Sequence, residues 1–191
     1  INKEKINAGD LIKDPILIKN KFDTDKISEK MLLETIMDNL EEFLSEFGDG
    51  YSFMKSEYPI KIGDRYNYID MLLYNIYDNC YAVIELKINE IKKEHIGQVE
   101  TYMNFIDKNL RTINQEPTIG IIVCKKKNGY LFKYVTNKKI YEREYELMWK
   151  AKRNPCFFIV FNYSTKLLKF FSYFLGGFSK ICLTINLKGG N

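Results

Sequence analysis

Glu85 and Lys87 stand two apart in an otherwise apolar run, YAVIELKI at positions 81–88. In an extended strand alternate side chains share a face, so Val83, Glu85 and Lys87 point one way and Ile84, Leu86 and Ile88 the other. Charged groups are rarely buried unless paired or bound to a metal, so an acid and a base on one face of this strand need a partner. Asp70, in YNYIDMLLY fifteen residues earlier, shares a face with Tyr68 and Leu72. An antiparallel neighbour could set it beside Glu85. Two carboxylates that close repel and raise one pKa unless a cation neutralises them, and hard oxygen ligands with positions open to water suit Mg²⁺ or Mn²⁺. Such an ion acidifies its bound water and stabilises charge building on a phosphate, with Lys87 placed to orient that water or balance charge. The chemistry implied is phosphodiester hydrolysis.

Helices and strands must hold these groups. From Ile27 to Phe47 apolar residues recur at helical spacing, and Gly48 and Gly50 close the run, which predicts one helix. Glu34 falls on the flank of its stripe, from which it could reach in as a further metal-water ligand. EYPIKI at 57–62, RYNYIDMLLYN at 65–75 and YAVIELKI read as three strands of a meander. Ile96, Val99, Met103, Ile106 and Leu110 then form a second helical stripe from Lys93. Gln98 and Tyr102, four apart on a polar face of that helix, could lie over the strand ends. After Pro117, TIGIIVC reads as a short buried strand, so the predicted order is α, β, β, β, α, β. GYLFKYV at 129–135 fits a short helix or strand, and KIYEREYEL at 139–147 alternates like an edge strand.

At these residues the chain resembles the PD-(D/E)XK nuclease superfamily, and within it the bacterial YhcG-like branch, from about Asp14 to Leu147. The resemblance rests on YIDMLLY for the first acid, IELKI for the E-x-K pair, EHIGQVETYMNF for a Q-x-x-x-Y signature and EPTIGIIVCKKKN for the next strand. Ile69 stands where many superfamily members carry proline. The resemblance implies an α/β, restriction-endonuclease-like αβββαβ core with a mixed central sheet flanked by helices. It also implies a divalent metal held by Asp70 and Glu85, Lys87 at the catalytic water, Gln98 and Tyr102 nearby, and Glu34 as the acid of the first helix. The expected function is metal-dependent hydrolysis of DNA. The alternative is an inactive module of the same fold that binds nucleic acid or a partner protein.

The rest of the chain bounds this reading. With 191 residues, 46% of them hydrophobic, it can fill one core. We divide it into a lead-in at 1–26, a nuclease domain at 27–147 and an extension at 148–191 of unknown role. A net charge of +4 suits a polyanion without requiring one. Lys92, Lys93, Lys125, Lys126 and Lys127 flank the expected site and could meet backbone phosphates. Four cysteines without short paired spacing and a single histidine, His95, argue against structural zinc and for a reducing cytoplasm. His95 reads as a surface residue, and Cys80 and Cys124 as buried thiols. Tyr66, Tyr68 and Tyr74 could stack on bases, but read as packing, the usual fate of strand aromatics. The start at Ile1 suggests a trimmed chain. Lysines interrupt the Phe-rich tail from Asn154, so no membrane span is expected. One site per chain favours a homodimer for cutting both strands of a duplex.

Overall fold

The apolar runs become strands of one mixed sheet with helices on both faces, in a computed structural model of the chain that describes residues 8–22 and 26–149. In chain order the elements are β1 (Ile16–Asn20), α1 (Glu29–Asp38), α2 (Leu40–Phe47), β2 (Tyr51–Ile62), β3 (Arg65–Asn75), β4 (Cys80–Glu90), α3 (Lys93–Asn109), β5 (Ile119–Lys126), α4 (Gly129–Phe132) and β6 (Ile140–Trp149). The sheet runs β1-β6-β5-β4-β3-β2. β2, β3 and β4 form the antiparallel meander. β4, β5, β6 and β1 are parallel, with α3 as the crossover between β4 and β5. The expected order α, β, β, β, α, β is present. The tail from Asn154, with Cys156 and Cys182, lies outside the described residues.

Four readings are corrected. The single helix over 27–47 is two, broken at Asn39 (φ −133°, ψ 42°), whose side-chain amide donates to the Thr35 carbonyl at 3.2 Å. A short amide that satisfies the helix's own backbone competes with its continuation. Residues 16–20, read as irregular lead-in, are strand β1, paired in parallel with β6 from Ile16↔Tyr145 to Asn20↔Trp149. β6 is therefore interior rather than an edge, and the sheet draws on residues ahead of 27 and on through Trp149. β2 begins six residues before the predicted strand, at Tyr51, because a bulge between Phe53 and Lys55 interrupts its alternation. The segment at 129–135 opens as the short helix α4, capped by the Asn128 side chain accepting from the Leu131 amide at 3.1 Å.

Strand alternation sorts the core into two layers. Ala82, Ile84 and Leu86 of β4, with Ile121 and Val123 of β5 and Ile16 and Ile18 of β1, pack under α1 and α2. Val83, Ile122 and Cys124 face α3 through Val99, Met103 and Ile106. Each fully buried aliphatic side chain contributes about 1.5–3 kcal/mol. Gly120 sets how close α3 lies: a Cβ there would fall 2.4 Å from Val99 Cγ1 and 2.6 Å from Met103 Sδ. Asp107 near the end of α3 accepts from the Thr118 amide at 2.9 Å and from its hydroxyl at 2.6 Å, which fixes the helix to the start of β5. The same row of β4 that places Val83 under α3 carries Glu85 and Lys87 toward the start of that helix.

Candidate active site

β3 and β4 pair as far as Met71↔Ile84 and then part. The Leu86 amide turns to a side chain, donating to Asp70 Oδ2 at 2.7 Å. β2 is also irregular here. Its pairing with β3 passes from Ser56↔Met71 to Tyr58↔Ile69, and Glu57 between them has φ +46°. A left-handed glutamate is strained by about 1–3 kcal/mol and persists only where its surroundings impose it. The hairpin thus bends where the Asp70 carboxylate leaves the ladder, opening a notch between β3 and β4.

Glu85, 2% exposed, and Lys87, 8% exposed, occupy that notch. Lys87 Nζ lies 3.0 Å from Glu85 Oε1 and 3.1 Å from Glu29 Oε2 in the first turn of α1. Glu85 Oε2 is buried with no hydrogen-bond partner among the described residues. Burial, with Asp70 adding repulsion, pushes the Glu85 carboxyl up to about 7 despite Lys87. Burial likewise raises Asp70, against the pull of the Leu86 amide and Lys87, while Glu29 and Glu57 add to the rise. Burial draws the Lys87 ammonium down, but Glu85 and Glu29 outweigh it, so the lysine stays protonated well above neutral pH.

α3 covers one side. Gln98 Nε2 donates to Tyr102 Oη at 2.8 Å, as their spacing on one helix face allows. Burial raises the Tyr102 pKa against the pull of the Gln98 hydrogen bond, and Glu85 and Asp70 add to the rise. His95 begins this face. Its Nδ1 accepts from the Lys92 amide at 3.1 Å and caps the helix, and the ring is partly exposed, as read from the sequence.

The structure thus brings Asp70, Glu85 and Lys87 together, with the Gln98–Tyr102 pair alongside. Glu34 is not among them: it is exposed, and its carboxylate lies 3.9 Å from Lys21. Glu29 is the first-helix acid at the cluster. The one sequence signal for it was its place just after Ser28, whose hydroxyl caps α1 by accepting from the Met31 amide at 3.1 Å. Of the five lysines, Lys126 pairs with Glu90 at 3.3 Å and Lys127 with Asp14 at 2.5 Å. Lys125 lies over the Tyr145 ring. Lys92 and Lys93, at the start of α3, are exposed without an ion pair among the described residues. Tyr74 packs edge-on to Tyr81 as expected. Tyr66 and Tyr68 do not pack; they are 64% and 55% exposed.

The donor set fits a hard divalent cation. Among the described residues Glu85 Oε2 lacks a partner, and Asp70 gives one oxygen to the backbone. Among the described residues no three acidic, histidine or cysteine side chains converge into a complete cage. A two-carboxylate site completed by water and substrate phosphate is the way Mg²⁺ is commonly held.

Two acids and a lysine at a parted strand pair, in a mixed sheet with helices on both faces, define the class: a PD-(D/E)XK-type nuclease domain of restriction-endonuclease-like fold. The YhcG PDDEXK nuclease domain family matches residues 9–155, and the chain belongs to that family. It is 25% identical over 118 residues to YhcG of Escherichia coli (strain K12), a match over 62% of this chain and 32% of YhcG. The chain thus corresponds to about one third of that relative's length. A repair endonuclease from Pyrococcus abyssi aligns over 66% of this chain and 50% of its own at 20% identity and a TM-score of 0.48. A structure of EndoMS in complex with double-stranded DNA aligns over 66% and 49% at 18% identity and a TM-score of 0.47.

Proposed function

We propose that this domain is a divalent-metal-dependent deoxyribonuclease that hydrolyses phosphodiester bonds with an activated water. The observation that carries the reading is the buried Glu85 carboxylate, with one oxygen on Lys87 and the other unpartnered, beside Asp70. Asp70 and Glu85 would hold Mg²⁺ or Mn²⁺, and the bound ion would supply an acidified water and a counter-charge for the phosphate. Lys87 is held protonated by Glu85 and Glu29, so it serves as a donor that orients the water and offsets phosphate charge rather than as a base. The water oxygen bonds to phosphorus and gives up a proton to solvent, the bond to the leaving oxygen breaks, and that oxygen takes up a proton. The Gln98 amide and Tyr102 hydroxyl stand ready to hydrogen-bond the phosphate or the water.

Lys92 and Lys93, without an ion pair among the described residues, would meet flanking phosphates, and the exposed Lys125 could join them. Lys126 and Lys127 contribute less, because Glu90 and Asp14 already neutralise them. The buried free thiols Cys80 and Cys124 suit a reducing cytoplasm. Two copies related by a two-fold axis would let single sites cut both strands. The test is cleavage of labelled linear, nicked and branched DNA by the full chain in Mg²⁺ or Mn²⁺. We expect cutting that EDTA and Glu85→Ala both abolish. Cutting that survives either one refutes the mechanism, and salt-dependent binding without any cutting favours the inactive module.

A further inference from the structure

We infer that the β2–β3 ribbon beyond Asp70 is a stacking platform for unpaired bases, so that the substrate is DNA with a single-stranded segment beside the scissile phosphate. The inference rests on the nuclease reading and names its substrate class. Past Met71 the β3 strand has no β4 partner and pairs with β2 alone, out to the turn at Gly63 and Asp64. Tyr68 and Tyr66 sit at alternate positions before Asp70, so strand alternation makes one row of the three. At ~3.3 Å per residue the tyrosines lie about 7 and 13 Å from the acid, within the span of the first few nucleotides flanking a phosphate held there.

Both rings are mostly exposed, at 64% and 55%. A lysine lies beside one. Lys61, the cross-strand partner of Tyr66, has its Nζ 5.9 Å from that ring's centroid. Among the described residues Lys61 forms no ion pair, so its ammonium is available to a phosphate. The body of the sheet shows the opposite pattern: Lys126 and Lys127 are paired with acids. Exposed aromatic faces beside an unpaired lysine suit a polyanion whose bases carry open π-faces. A duplex fits the row poorly, because its bases already stack on one another and show grooves only hydrogen-bonding edges.

The test measures binding by fluorescence anisotropy in EDTA, on full-length Glu85→Gln protein so that nothing is cut. The probes are a labelled thymidine strand of about 20 nucleotides and a blunt duplex of equal length. Adding Tyr66→Ala and Tyr68→Ala together should weaken strand binding at least tenfold and change duplex binding less than twofold, as stacking energies convert. Phenylalanine at both positions should restore strand affinity, which separates stacking from a folding defect. Hydrolysis of bis(p-nitrophenyl) phosphate, a substrate without bases, should be equal in the otherwise wild-type chain and in its Tyr66→Ala, Tyr68→Ala variant. Strand affinity that survives the double substitution, or an equal loss on duplex, overturns the inference. If the tyrosine-dependent preference holds but wild type hydrolyses no phosphodiester, the platform stands and the nuclease reading falls.

Discussion

Replacing Glu85 by glutamine should stabilise the metal-free protein, and the gain should depend on pH in a definite way. The carboxyl is 2% exposed and titrates at about 7 when folded, against 4.5 for an ordinary glutamate. A carboxyl whose folded pKa is raised costs nothing below pH 4.5, where it is protonated in both states. Its cost grows as pH rises through the interval and is complete above about 7. At ~1.4 kcal/mol per tenfold difference in proton affinity, the full cost is about 3 kcal/mol. Lys87 also has a raised pKa, so its contribution is constant across this window and is lost only above its unfolded value. Glutamine keeps the shape without the charge. We expect Glu85→Gln to match wild type near pH 4.5 and to exceed it by about 3 kcal/mol at pH 8 in EDTA, or roughly 6–12 °C in melting temperature. The assay is urea unfolding followed by circular dichroism across that range, with the difference between the two proteins taken at each pH. A variant no more stable at pH 8, or a difference that does not grow with pH, would refute the reasoning that Glu85 is held charged at an energetic cost.

Other outcomes follow from the same geometry. Lys87→Met removes the partner of a buried carboxylate and should destabilise the protein by about 3–5 kcal/mol at pH 8, and much less near pH 4.5, in the same unfolding assay. At sub-saturating Mn²⁺ the rate of DNA cleavage should rise about tenfold per pH unit up to roughly 7 and then level, because the ion competes with one proton on Glu85; a flat profile would count against that competition. Gly120→Ala forces a methyl against Val99 and Met103, so it should cost about 1–3 kcal/mol and also reduce cleavage by displacing α3, with thermal melts and single-turnover rates reading the two effects.

Where local pattern decides structure, the sequence was readable. β3 has the bounds read for it, and the row of Val83, Glu85 and Lys87 follows from alternation alone because β4 is covered on both faces. Asp70 could be placed beside Glu85 for the same reason. Tertiary placement was harder to read. Helical spacing told which face of the first helix is buried, but not which turn overhangs the strand ends, so Glu34 was chosen where Glu29 makes the contact. β1 is five residues long, too short to carry a periodic signal, and without it β6 read as an edge. The habit of treating strand aromatics as core fails at Tyr66 and Tyr68 because the ribbon outruns its neighbour and none of the described residues covers them. The left-handed Glu57 had no sequence signal, since glutamate carries no turn preference of the kind glycine or asparagine would show.

The most direct measurement of whether Asp70 and Glu85 act as one ligand set is calorimetric titration of Mn²⁺ into the full chain at pH 8, beside Asp70→Asn and Glu85→Gln. We expect wild type to take up the ion and both substitutions to abolish detectable binding while the fold is retained. Undiminished uptake by both variants, or none by wild type, would contradict a metal held between those two carboxylates.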